Sequence, residues 1–206
     1  MDYKEIEQEM EKTYDGISCK YLKMQKDDWE DKKYVNSFIS YLKPNSSILD
    51  IGCGTGELLE YFSSLGFKTM GIDISREMVN ISKKRVINSR VFKMSLYDVS
   101  KIKERFDGVV ATFVFVHIPK EKISDVIRSI NIKLKKGGIF FTVFTTSLKE
   151  GLQEEMLDRN YKYYAVNYSK DEIIGILEKN GMEILDVFSK IEINGVLTDI
   201  IVSKKL

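Results

Sequence analysis

Glycines at 52, 54 and 56 stand behind an acid in Asp50-Ile-Gly-Cys-Gly-Thr-Gly56, and no other stretch of the chain is so well suited to cradle a small molecule. Glycine puts no side chain between backbone and ligand and accepts the left-handed dihedrals of a tight strand-to-helix turn. The apolar Ser47-Ile48-Leu49 precedes this turn and the amphipathic Leu58-Leu59-Glu60-Tyr61-Phe62 follows it, so a buried strand feeds a helix. Seventeen residues after Gly56, a second apolar run, Thr69-Met70-Gly71-Ile72, ends in Asp73. A carboxylate at a strand end can accept from both hydroxyls of a ribose. It can equally cap the helix that opens near Ser75.

The glycine spacing selects the kind of nucleoside. A dinucleotide turn of the G-x-G-x-x-G type would need glycine at 57, where pyrophosphate meets a bare helix N-terminus. This chain has Glu57, whose charge repels phosphate. Acid-x-Gly-x-Gly-x-Gly fits instead a phosphate-free adenosine with a cationic amino-acid end, which is S-adenosylmethionine. Asp50 is expected to order the turn by accepting backbone N–H bonds and to meet the ligand's ammonium through water.

His117 is the only histidine, so a general base of near-neutral pKa is either this residue or a shifted Asp, Glu, Lys or Tyr. A lone histidine just before Ile118-Pro119 also suits a structural hydrogen bond. Were that ligand to give up its methyl, transfer from the sulfonium would be an in-line displacement, and aligning the reactants and excluding water would be the protein's main tasks. No Cys/His cluster has metal-ligand spacing, and no metal is expected. The chain carries no Asn-Pro-Pro-Tyr-type or Pro-Cys motif of base methylation. Its 32 basic and 31 acidic residues are interspersed, with a net charge of +1, so no nucleic acid partner is expected. What remains is transfer to oxygen or nitrogen of a small-molecule acceptor, with carbon and sulfur left open.

Around these residues, apolar runs predict strands at 47–51, 67–72, 90–94, 107–113 and 138–145, and periodicity predicts helices at 56–65, 75–86 and 120–135. The alternation gives an α/β fold with a parallel sheet. Residues 1–43 read as helical, including Trp29 to Leu42, where Val35, Phe38, Ile39 and Leu42 recur at three and four before Pro44-Asn45. In the tail, Lys170 to Asn180 reads as a helix ended by Gly181, followed by strands Glu183 to Ile193 and Val196 to Val202 around Asn194-Gly195. Ligands of parallel sheets bind beyond the carboxyl ends of the strands. That rule adds Cys53, Ile74, Ser95, Leu96, Thr112 and Phe113 to the glycines and acids as candidates. Ile74 and Met78 suit an apolar wall for adenine, or ordinary core packing.

Leu49-Asp-Ile-Gly-Cys-Gly-Thr-Gly56, Gly71-Ile-Asp-Ile-Ser75, Phe106-Asp-Gly-Val-Val110 and Leu134-Lys-Lys-Gly-Gly138, in this order, resemble the class I S-adenosylmethionine-dependent methyltransferases. The resemblance covers residues 14 to 205. It implies a doubly wound, mostly parallel, Rossmann-like seven-stranded sheet of order three-two-one-four-five-seven-six, closed by an antiparallel C-terminal hairpin. It also implies an acid after the third strand for the adenine amino group, where this chain has Ser95, with Asp98 three residues on. Tyr14-Asp-Gly-Ile-Ser-Cys-Lys-Tyr21 resembles a family lid, Tyr-Asp-x-Ile-Ala-x-x-Tyr, whose tyrosines close over the methionine end. A seven-residue spacing also fits a helical stripe on the core. The implied cofactor set is Tyr14, Tyr21, Asp50, Gly52, Cys53, Gly54, Asp73, Ile74, Met78, Ser95, Leu96, Thr112 and Phe113, with His117 as the catalytic candidate and S-adenosylhomocysteine as product.

At 206 residues and 43% hydrophobic content, one domain is expected, with residues 1–43 as a helical lid and 146–168 as a cap on the acceptor site. Tyr161, Tyr163 and Tyr164 could stack on an acceptor or cover the sheet. Cys19 and Cys53 are poorly placed to pair, Met1-Asp-Tyr-Lys-Glu5 does not read as a signal peptide, and no apolar run approaches the ~18 residues of a membrane span. A cytoplasmic location is therefore expected, with the oligomeric state left open by the sequence. Two other functions share the pattern. One is a regulatory or scaffolding protein that binds the cofactor without turnover. The other is a different enzyme on the scaffold, such as an aminopropyl transferase or a nicotinamide oxidoreductase, the latter disfavoured by Glu57.

Overall fold

In the computed structural model, residues 1–24, 32–146, 148–155, 157–192 and 195–206 are described. Four strands carry the cavity: β1 (Ser47–Ile51), β2 (Lys68–Asp73), β3 (Arg90–Lys93) and β4 (Phe106–Thr112). Three of them, β1, β2 and β4, are buried nearly throughout, because helices cover both faces of a parallel sheet. Side chains alternate between faces, so Leu49 and Ile51 pack with Val109 and Phe140 on one side. Ile48 packs with Val110, Phe38 and Phe62 on the other.

The connecting helices are α3 (Glu57–Ser64), α4 (Arg76–Arg85) and α5 (Lys120–Lys133), after which β5 (Leu134–Thr145) joins the sheet parallel to β4. It begins earlier than the expected 138, because Leu134 pairs with Phe106 ahead of a register irregularity. Two helices precede the sheet in the chain, α1 (Tyr3–Met24) and α2 (Lys32–Ser40). The expected helix start at Trp29 lies outside the described residues.

Within the stretch expected to be a connecting loop, β6 (Gly151–Glu154) and β7 (Lys162–Ala165) form an antiparallel ribbon. Strands of four residues without a tight-turn dipeptide between them leave little periodic signal. Then follow α6 (Lys170–Lys179), started by the Ser169/Glu172 capping box, and the strands β8 (Met182–Ile191) and β9 (Leu197–Lys205). The sheet order is β3-β2-β1-β4-β5-β9-β8, with β9 antiparallel to both neighbours. With β8 and β9 as the sixth and seventh strands of this sheet, this is the order three-two-one-four-five-seven-six that the resemblance implied. Ile193 and Asn194 of the expected turn lie outside the described residues, and Gly195 has φ +80°. Among the described residues no helix is long and apolar enough to cross a membrane.

Strand order reverses between β1 and β4, so their connections leave in opposite directions and open a crevice at the carboxyl edge.

Candidate active site

The turn after β1 is held by backbone bonds. The N–H groups of Gly52 and Cys53 both donate to Ile72 O, at 2.8 and 3.0 Å, and Gly56 N donates to Cys53 O at 2.9 Å. Gly52 has φ +71° and Gly54 φ +49°. A Cβ on Gly52 would lie 2.5 Å from Val114 Cγ2, whereas one on Gly54 would meet nothing within 4 Å, because that residue faces the cavity. Asp73 ties the next strand end to this turn. Its Oδ2 accepts from Gly54 N and its Oδ1 from Ser75 N, both at 2.8 Å. Burial pushes the Asp73 carboxyl up to about 6, against the pull of those two N–H groups. The cap of α4 is Ser75, whose Oγ accepts from Met78 N at 3.0 Å.

Asp50 lies behind the turn, 1% exposed, and among the described residues neither of its oxygens has a hydrogen-bond partner. The expected role of ordering the turn through N–H bonds falls instead to Ile72 O and Asp73. Burial, with the Asp73 charge adding to it, pushes the Asp50 carboxyl up to about 8. Cys53 also faces away, packed with Leu59, Val79, Val86 and Val91, and its thiol is pushed well up by burial.

The cavity beyond these strand ends encloses about 840 Å³ including its open mouth, within the size range of small-molecule sites. Gly52, Gly54, Asp73, Ile74, Met78, Leu96, Thr112, Phe113 and His117 line it from the sheet side, and Tyr14 and Tyr21 from α1. Ser95 does not line it: its Oγ accepts from Tyr97 N at 3.0 Å, capping the 3₁₀ turn Leu96–Lys101, and donates to Glu7. Met94, Tyr97 and Val114, which follow the third and fourth strands as the strand-end rule expects, also form walls, as do Glu7 and Met10 of α1, which no motif singled out. Glu7 was nonetheless legible, since 7, 14 and 21 fall at heptad spacing on one face of α1.

Helix α1 is fastened across the cavity by side chains. Asp15 Oδ1 accepts from Ser75 Oγ at 2.6 Å and from Glu77 N at 3.0 Å, Lys20 pairs with Asp158 at 2.6 Å, and Lys93 pairs with Glu11. Tyr14 Oη lies 2.7 Å from His117 Nε2, and His117 Nδ1 lies 2.6 Å from Tyr164 O. A carbonyl only accepts, so Nδ1 carries the hydrogen and Nε2 accepts from the Tyr14 hydroxyl. Burial lowers the His117 pKa and raises that of Tyr14 well above its ordinary value, so both are neutral at pH 7.

The described part of 146–168 contributes no wall to this cavity. The Tyr161 ring sits where a Cβ on Gly16 would be, 2.0 Å from its Cζ, so the segment backs α1 and supplies the carbonyl that orients His117. A second cavity of about 520 Å³ shares Tyr21, Thr112 and Phe113 with the first and extends between Tyr34, Val35, Leu58, Phe141, Val143 and Ile200, with Glu57 at its wall. Phe113 stands between the two in a left-handed conformation, φ +56°, its N–H donating to Val143 O at 2.7 Å. Strain of this kind in a bulky residue is held only where surrounding structure fixes it. Among the described residues no group of three or more His, Cys, Asp or Glu could hold a metal.

The pattern of a methyltransferase domain matches residues 21–187. The chain belongs to the methyltransferase domain family, within the class I S-adenosylmethionine-dependent enzymes. It is 25% identical over 129 residues to an uncharacterized methyltransferase of Alkaliphilus oremlandii, covering 63% of this chain. The chain spans between 39% and 59% of the length of the first curated relatives it matches. Its fold is like that of 1,6-didemethyltoxoflavin-N1-methyltransferase from Burkholderia thailandensis, solved with 1,6-didemethyltoxoflavin and S-adenosylhomocysteine. That likeness has TM-score 0.76 at 16% identity, over 100% of this chain and 91% of that one. Magnesium protoporphyrin IX methyltransferase from Synechocystis, solved with S-adenosylmethionine, is similar with TM-score 0.74 at 14% identity, over 100% and 98%.

The residues of this cavity fit S-adenosylmethionine. The glycine cradle leaves room at Gly54, a charged acceptor stands at Asp73, and Asp50 is an orphaned buried carboxyl that a nearby cation would complement.

Proposed function

We propose that this chain transfers a methyl group to an oxygen or nitrogen of a small acceptor held in the second cavity. The bound cofactor would supply an electrophilic methyl on a sulfonium. Gly52 and Gly54 would seat its amino-acid end beneath Tyr14 and Tyr21, Asp73 would accept from the ribose, and Ile74 and Met78 would flank the base. Thr112 and Phe113 border both cavities, so they are the residues past which an acceptor's nucleophile must reach.

A proton leaving an acceptor nucleophile that reaches past Thr112 and Phe113 into the first cavity has a route there, since Tyr14 and His117 line that cavity. Tyr14 can take it as its own hydroxyl proton passes to His117 Nε2, while Nδ1 keeps its hydrogen on Tyr164 O. Water is kept from this route by α1, which covers the crevice.

The observation that carries the reading is the apolar second cavity meeting the first at Tyr21, Thr112 and Phe113. Incubation with methyl-labelled S-adenosylmethionine and a panel of aromatic alcohols and amines, together with a metabolite extract, tests it. Label on a small product is expected. Saturable cofactor binding with no label transferred would favour a regulatory or scaffolding protein instead.

A further inference from the structure

One end of the cavity carries a carboxylate that the glycine and acid motifs do not use. Met94, Leu96 and Tyr97 follow β3 and Ile74 follows β2, so this end lies on the far side of Asp73 from the glycine turn. Its other walls are apolar or aromatic, and the charged side chain there is Glu7, reaching in from α1. Ser95 Oγ donates to Glu7 Oε1, and among the described residues this is the hydrogen bond that engages the carboxylate, leaving Oε2 for a donor in the cavity. A half-buried carboxylate among methionine and leucine side chains is costly unless a donor meets it.

On the reading that this cavity seats S-adenosylmethionine, Asp73 fixes where the ribose lies, and the base must extend toward Ile74 and Leu96. Adenine is flat and apolar on its faces, with an exocyclic amino group as donor on its edge. We propose that Glu7 accepts a hydrogen bond from that amino group, so that the covering helix, not the loop after β3, identifies the base. Ser95, at the position after β3 where an acid would serve, steers Glu7 instead of touching the base. Because Glu7, Tyr14 and Tyr21 share one face of α1, the same helix face touches both ends of the ligand. Docking of α1 and binding are thereby coupled.

The test is a calorimetric titration with S-adenosylhomocysteine and with S-inosylhomocysteine, in which a carbonyl oxygen replaces the amino group. The wild-type chain is expected to prefer the adenosyl compound by about 10-fold or more, since the carboxylate loses a donor and faces a second acceptor. Glu7→Gln should bring the two to similar affinity, because an amide can accept from the amine or donate to the carbonyl. Glu7→Ala, with its fold checked by far-UV circular dichroism, should also lose the preference. If Glu7 only latched α1 to Ser95, both variants would weaken the two ligands alike and keep the wild-type ratio, which would overturn the proposal. Equal wild-type affinity for both would overturn it as well. Failure of the wild-type chain to bind either compound would remove the cofactor reading itself, a separate and recognisable result.

Discussion

The glycine-turn side of the cavity and the α1 side face the same space but are held by different forces. Around the turn, Gly52, Cys53 and Gly54 are fixed by bonds to Ile72 and Asp73, partners about 20 residues away and largely buried. Helix α1 is fixed by side chains whose partners lie 60 to 149 residues away, from Asp15–Ser75 to Thr13–Lys162, and two of its ion pairs are exposed to water. Exposed pairs of that kind contribute about 0 to 1 kcal/mol each. The turn is therefore the more locally fixed side, the seat, and we propose that α1 acts as a cover that parts from it by local opening while the sheet stays folded. A change on the seat should weaken binding, whereas a change on the cover should alter turnover and selectivity.

The largest expected effect is at the seat. Gly54→Val should weaken S-adenosylhomocysteine binding by about 100-fold or more while leaving a folded chain, because a β-branched residue at φ +49° is strained and its side chain enters the cavity. Retained tight binding would show that the turn does not contact the ligand. Asp73→Ala comes next, at about 1 to 3 kcal/mol of binding measured by calorimetry, from the loss of a charged acceptor. Unchanged affinity would take Asp73 off the ribose.

Where the cover meets the sheet side, Tyr14→Phe on α1 and His117→Ala after β4 should each slow methyl transfer by about 100-fold if the pair moves a proton, with affinity for S-adenosylhomocysteine little changed by His117→Ala. A fall of a few fold would make the pair structural and narrow the contrast between the two sides. The change with the least effect on turnover concerns Asp50, and it is read in stability. From its ordinary value of 3.8 up to about 8 the folded chain holds a proton that the unfolded chain has released, so this carboxyl makes stability fall as pH rises through that window. Asp73, raised to about 6, adds to the fall between about 4 and 6. In urea unfolding, Asp50→Asn should flatten the slope by up to about 1.4 kcal/mol per pH unit and stabilise the ligand-free chain at pH 8. An unchanged slope would mean that Asp50 is ionised in the fold.

The two sides also differ in how much of them the sequence discloses. Strand and helix positions around the seat follow from local apolar runs, and Gly52, Gly54 and Asp73 from spacing alone, because the residues that touch are close in sequence. The partners of α1 depend on tertiary placement. Nothing local in Glu7 points to Ser95, nothing in Tyr14 to His117, and the β6–β7 ribbon is built from strands too short to announce themselves. Cys53 and Ser95 sit at the expected strand ends but turn away, one into an apolar cluster and the other onto a helix cap. Spacing fixes a position along the chain, and packing decides which way the side chain faces. Heptad spacing on α1 was the one signal that reached across.

The central claim is that the carboxyl edge of β1 and β2 seats an S-adenosyl ligand without phosphates. Competing titrations of the wild-type chain with S-adenosylhomocysteine and with NADH test it most directly. Saturable binding of one S-adenosylhomocysteine per chain, undisturbed by NADH, is the predicted result. Binding of NADH with no measurable affinity for S-adenosylhomocysteine would contradict it.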